Sequence, residues 1–175
     1  KRMRVPGIRF DDLPRIDVVL ISHNHYDHLD LHTLKRLRER DQPLVITPLG
    51  IPAFLKNHGI ESLEQDWWQS AVAKGGEVTA VAAQHFSGRG VFDRDATLWG
   101  GYVLKLASGF MYFACDTGYN DKTFKEIGNR FAPMEVSLIP IGAFKPEWFM
   151  GPIHCSPSEA LLIHDDLRSR VGIGI

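Results

Sequence analysis

The chain has 175 residues, 20 Lys and Arg against 21 Asp and Glu, and 44% hydrophobic content. That length suits one domain or part of one, and a formal charge of -1 leaves no global positive field to hold nucleic acid or an acidic bilayer. Apolar runs such as Val18-Val19-Leu20-Ile21 fall far short of the ~20 residues that a membrane-spanning helix needs, and two cysteines are too few for a disulfide framework. No leader segment is legible at Lys1, so the expected location is the cytoplasm or the periphery of a membrane. Lys1-Arg2-Met3-Arg4 presents a small basic cluster, either to lipid phosphates or simply to solvent.

In chain order, Ile16 to Ile21 is expected as a buried strand, since its consecutive apolar residues are mostly β-branched, and polar Ser22 and His23 end it. Asp30 reads as an N-cap for an amphipathic helix in which Leu31, Leu34 and Leu37 share one face. Pro43 to Thr47 reads as a second strand, and Gly50 to Asn57 as a short helix closed by Gly59. After a Gly75-Gly76 turn, Val78, Ala80 and Ala82 alternate along a strand running to His85. Trp99 to Leu106 and Phe110 to Cys115 form the arms of a hairpin around Ala107-Ser108-Gly109. Phe124, Ile127 and Phe131 mark a helix, Val136 to Ile141 a strand, and Ser156-Pro157-Ser158-Glu159 a capping box that starts another helix. Val171 to Ile175 begins a further strand. The alternation of strands and helices, without repeats, indicates an α/β or α+β layered domain.

His23-Asn24-His25-Tyr26-Asp27-His28 places four potential metal ligands in six residues directly after a strand. In extended backbone His23 and His25 point the same way and can share one ion, while Asp27 and His28 turn off that line toward a second. Three imidazoles and a carboxylate buried together without a cation would leave unpaired polar groups costing several kcal/mol. Two ions need further ligands from other strand ends, and His85 and Asp116 fit. Taken alone, His85 would read as a surface-loop histidine and Asp116 as a turn former. Cys115 reads as a packed strand residue with no catalytic role.

These residues resemble the metallo-β-lactamase superfamily. The H-x-H-x-D-H run carries the resemblance, and Ala83-Gln84-His85, Leu98-Trp99-Gly100, Asp116-Thr117-Gly118-Tyr119, Ile139 to Phe144, Trp148-Phe149-Met150 and His154 resemble the branch of N-acyl-phosphatidylethanolamine-hydrolysing phospholipases D. The resemblance implies an αββα sandwich with a binuclear zinc site in which His23, His25 and His85 bind one ion, Asp27 and His28 the other, and Asp116 bridges both. His25 stands where the diiron members of the superfamily typically carry Glu, which favours zinc, although ligand type alone admits iron or manganese. The family has strands ahead of the position of Lys1 and a further zinc-binding His soon after the strand beginning at Val171. The expectation is therefore a single domain over residues 1–175, incomplete at both ends.

The same resemblance implies a metal-activated water that attacks a phosphodiester, with Asp27 steering it and His154 gripping a phosphate oxygen or assisting the leaving group. The expected substrate is a phospholipid or other phosphodiester, not nucleic acid; lactone or ester hydrolysis and a metal-binding fragment without turnover are the alternatives. Trp148, Phe149 and Met150 either line an acyl-chain route with peripheral membrane contact or simply close a core, and Trp67-Trp68 reads as core.

Overall fold

The computed structural model describes residues 6–175. The basic Lys1-Arg2-Met3-Arg4 cluster lies outside the described residues. A single 3-10 turn, Phe10–Asp12, precedes β1 (Val18–Leu20), α1 (Leu31–Asp41), β2 (Leu44–Pro48), α2 (Ile51–Lys56) and β3 (Leu63–Gln65). These are followed by β4 (Ser70–Ala73), β5 (Gly76–Val81), β6 (Gly101–Leu106), β7 (Gly109–Phe113), α3 (Asp121–Phe131), β8 (Met134–Ile139), α4 (Glu147–Met150), α5 (Pro157–Asp166) and β9 (Val171–Gly174).

The strands form two sheets. β1-β2-β3 is a three-stranded parallel sheet, in which Val19 faces Val45 in register. The other has the order β4-β5-β6-β7-β8-β9, antiparallel through β7 and parallel thereafter, because helices carry the chain back between β7, β8 and β9. Parallel neighbours need such crossovers, whereas antiparallel ones close with turns like Ala107-Ser108.

Three separate apolar cores define four layers. Leu34 of α1 and Leu55 of α2 pack with Ile21, Val45 and Ile60 on one face of the small sheet. Ile46, Val78, Ala80 and Tyr102 fill the space between the sheets. Phe124 and Ile127 of α3, with Ile163 of α5, close on Val103, Tyr112 and Met134 of the large sheet. The result is helix, sheet, sheet, helix, the αββα sandwich. Fully burying a Leu, Ile, Val, Phe or Met side chain, as at Leu55, Ile46 and Phe124, contributes about 1.5–3 kcal/mol. Tyr102 also donates its hydroxyl proton to the Ile21 carbonyl at 2.7 Å, tying the large sheet to the end of β1. Gly128 lets α3 approach α5, since a Cβ there would collide with the Asp166 carbonyl.

The helix starts follow their capping residues. The Asp30 carboxylate accepts from the Thr33 N–H at 2.9 Å, and Ser156 and Glu159 close a reciprocal capping box. Several boundaries differ from the sequence expectation. β5 ends at Val81, so His85 lies in a loop beyond the strand rather than at its last residue. Gln84 leaves the ladder for an isolated bridge to Gly118, which explains the early stop. β7 ends at Phe113, and Cys115 stands outside it with φ +54°. The short β3, β4 and α4 have too few residues for a legible period.

Candidate metal centre

The site lies along one edge of the two sheets, where the loops after β1, β5 and β7 meet. Directly after β1, His23 is buried and His25 half-buried. The Nε2 of His23 is 2.8 Å from the Nδ1 of His25, which is 3.4 Å from the Nε2 of His85. Ligand atoms of these three residues all lie within 4.8 Å of one another. Tetrahedral zinc with Zn–N bonds of about 2.0–2.1 Å would hold its nitrogens about 3.3 Å apart. Two of the triangle's edges, 2.8 and 3.4 Å, are already near that value.

Its electrostatics favour a cation. Burial, reinforced by repulsion from His28, His85 and His25, lowers His23 to about 2. Burial also lowers His85 to about 4 against the opposing pull of Asp116, and it lowers His25. The three imidazoles are therefore neutral at pH 7 and offer lone pairs, the state that a divalent ion requires. The second ring nitrogen of His85 donates to the Ile153 carbonyl at 3.0 Å, which leaves Nε2 for the centre.

A second group adjoins the first. Asp116 Oδ2 lies 3.1 Å from His28 Nε2 and 3.7 Å from His85 Nε2, between the two sets of imidazoles. Burial disfavours charge on both members of the His28–Asp116 pair, but their mutual hydrogen bond outweighs it. His28, bonded also to Cys115, rises to about 10, and Asp116 falls to about 2. Asp27 has an 83% exposed side chain, with its carboxylate 3.7 Å from His28 Nε2. His154 stacks edge-on to His85 at a centroid separation of 5.2 Å, and its ligand atom clusters with those of His85 and Asp116.

All seven residues singled out in the sequence thus meet in one place: His23, His25 and His85 tightly, Asp116 and His28 as an ion pair beside them, Asp27 and His154 at the rim. The donor set, neutral imidazoles with a carboxylate beside them, fits divalent ions.

The surrounding loops hold this arrangement. Thr117 Oγ1 accepts from the Gln84 N–H at 2.9 Å, and Gln84 Nε2 donates to the Pro152 carbonyl at 2.9 Å. Gly118 is required at that crossing, because a Cβ would sit 2.8 Å from the Pro152 oxygen. Sequence reasoning missed Arg89, whose Nη1 donates to the carbonyls of Asn24 at 2.8 Å and Leu29 at 3.0 Å, pinning both ends of the ligand-bearing loop. Its guanidinium also covers the Tyr26 ring at 4.0 Å, and the Asn24 side chain accepts from the Gly88 N–H at 2.6 Å. Nothing in a lone loop arginine announces such a role.

Trp148 and Phe149 are 84% and 61% exposed, so they do not close a core. Trp67 and Trp68 are half-buried; Trp68 packs against the core beneath the large sheet, and Trp67 Nε1 donates to the Trp99 carbonyl at 2.6 Å. Among the described residues no helix is long and apolar enough to cross a membrane.

Comparison with known proteins accords with this geometry. The family model of the beta-lactamase superfamily domain matches residues 1–175. The N-acyl-phosphatidylethanolamine-hydrolyzing phospholipase D 1 of Caenorhabditis elegans is 38% identical over 186 residues, covering 100% of this chain and 52% of that protein. The mitochondrial N-acyl-phosphatidylethanolamine-hydrolyzing phospholipase D of Saccharomyces cerevisiae is 35% identical, covering 100% of this chain and 39% of the yeast protein. The chain thus spans about half the length, or less, of these relatives. Igni18, a metallo hydrolase from Ignicoccus hospitalis, shares the fold with a TM-score of 0.76 at 22% identity, covering 96% of this chain and 68% of its own. The chain belongs to the metallo-β-lactamase superfamily of metal-dependent hydrolases.

Proposed function

We propose that this domain is the catalytic part of a zinc-dependent phosphodiesterase of the phospholipase D type, acting on N-acyl-phosphatidylethanolamine. The observation that carries the reading is the convergence of three neutral imidazoles beside a carboxylate shared with a second imidazole. The substrate is supported by the identity to the two phospholipases.

In this reading His23, His25 and His85 hold one zinc, Asp27 and His28 the other, and Asp116 serves both. Such a pair, when bound, supplies Lewis acidity and lowers the pKa of water toward 7. The exposed Asp27 carboxylate accepts a hydrogen bond from the attacking water and orients it. His154 faces the same space and donates to a phosphate oxygen or to the departing alkoxide. Water adds to phosphorus, the bond from phosphorus to the ethanolamine oxygen breaks, and a proton passes to that oxygen. The products are an N-acylethanolamine and phosphatidic acid. No side-chain nucleophile is needed, and Cys155 is unsuited to the role: burial pushes its thiol up to about 11, and it donates to the Pro140 carbonyl.

The exposed Trp148 and Phe149, with Lys145 nearby in sequence, offer peripheral contact with the bilayer that contains the substrate. The test is an assay of the zinc-supplemented protein on vesicles containing N-acyl-phosphatidylethanolamine, with and without EDTA. Release of both products that EDTA abolishes supports the reading. Chelator-resistant release, or turnover of lactones and simple esters but not of the phosphodiester, overturns it, as does retention of metal with no turnover of any of them.

A further inference from the structure

Two buried side chains that the proposed mechanism leaves unused lie directly behind the ligands. Ser22 Oγ is 2.8 Å from His23 Nδ1 and accepts from Cys115 Sγ at 2.7 Å, and Cys115 Sγ lies 3.3 Å from His28 Nδ1. Together they form an unbroken chain from a ligand of the first position to a ligand of the second. It crosses the seam between the sheets, because Ser22 follows β1 and Cys115 follows β7, 93 residues away.

We infer that Ser22 and Cys115 are positioning residues of the metal centre, which fix the proton on Nδ1 of both His23 and His28 and so leave each Nε2 facing a cation. The inference rests on the metal-centre reading above.

One assignment of the hydrogens satisfies both histidines, with the thiol donating to the hydroxyl oxygen. An imidazole that ligates through Nε2 carries its proton on Nδ1 and must donate it. His23 then donates to Ser22 Oγ, and His28 donates to Cys115 Sγ. The Cys115 thiol donates onward to Ser22 Oγ, whose two lone pairs accept both protons. A second observation sets Cys115 apart from ordinary packing. Its φ of +54° is a conformation that glycine adopts freely and that side chains with a Cβ adopt rarely. Strained residues persist where the surroundings over-determine them, and here a thiol is held in that conformation immediately before Asp116.

Cys115→Gly and Cys115→Ser separate this role from packing. Zinc stoichiometry and affinity would be read by competition with a chromophoric chelator, and histidine tautomers by long-range 1H–15N NMR of the zinc-loaded protein. Cys115→Gly, which relieves the positive φ, is expected to leave the thermal midpoint of the chelated protein unlowered while weakening the second zinc about 10- to 100-fold. Cys115→Ser keeps a donor and an acceptor and restores most of that loss. Wild type should show His23 and His28 as Nδ1–H tautomers. If Cys115→Gly holds both ions as tightly as wild type, or if either histidine carries its proton on Nε2 in the loaded wild type, the inference is overturned. The wild-type tautomers decide the matter even if the glycine variant does not fold. Wild type that takes up no zinc at all overturns the metal reading itself, a result distinct from the other two.

Discussion

The two halves of the centre are built on opposite principles. The His23–His25–His85 triangle is neutral and centred on buried His23 and His85, two of its nitrogen separations already near the one that a tetrahedral ion imposes. The His28–Asp116–Asp27 side is charged, with its half-buried imidazole protonated and paired to Asp116 and only Asp27 exposed. One half has no internal substitute for a cation; the other uses a proton as its substitute. The first position should therefore fill readily, and the second only by displacing a proton and breaking an ion pair.

That contrast can be broken most forcefully at the triangle. His85→Ala should remove the first ion and lower kcat/KM by about three orders of magnitude, a loss comparable with deletion of other central catalytic groups. Elemental analysis and steady-state assays would check it, and near-normal metal content would mean that the triangle is not the tight position.

The next effect is a pH dependence that the halves should not share. Below pH 10 the second ion must displace a proton from His28, so its affinity should rise about tenfold per pH unit across the neutral range, while the first ion, whose three imidazoles are all lowered from 6.5, shows little change above pH 6.5. The sign reverses for the metal-free fold. His28 is raised from 6.5 to about 10, so its stabilising contribution is complete below pH 6.5 and disappears as pH rises through about 10. Asp116 is depressed, so its contribution is present above pH 3.8 and lost as pH falls to about 2. Calorimetric zinc titrations and denaturation of chelated protein across this range test both statements.

Arg89→Ala releases the carbonyls of Asn24 and Leu29, which bracket His25, Asp27 and His28. It should weaken the second ion about tenfold or more and destabilise the fold by about 1.5–3 kcal/mol, as loss of charge-assisted hydrogen bonds does. Competition assays and urea denaturation would show whether the first ion is spared. The smallest effect on stability is expected for Asp27→Asn, since that side chain is solvent-exposed: a change within about 0.5 kcal/mol by urea denaturation, with the loss confined to second-ion retention and turnover.

Much of this arrangement was legible in the residues. Asp30 and the Ser156–Glu159 box fixed helix starts because capping is local chemistry, satisfied within four residues. The paired direction of His23 and His25 followed from the alternation of extended backbone. Less was legible where local pattern and tertiary demand diverge. The alternation from Val78 to Ala82 runs past the end of β5, and the bridge from Gln84 to Gly118 decides where pairing stops. The Trp148-Phe149 pair could not be placed from its spacing, since burial depends on what else covers it. Cys115 read as a packed strand residue; it is indeed buried, but outside the strand and against His28.

The sequence by itself determined the donors, the alternation of strands and helices and the short-range geometry of the H-x-H-x-D-H run, because each depends on residue type and on backbone periodicity over a few residues; the order of the layers was legible only through the family resemblance. Tertiary structure alone decided that His85 reaches His25 across 60 residues, that Arg89 clamps the loop, and that Ser22 meets Cys115. Those contacts join loops from different sheets, and the packing of Tyr102, Ile46 and Val78 between the sheets, rather than any local preference, sets how the two edges align.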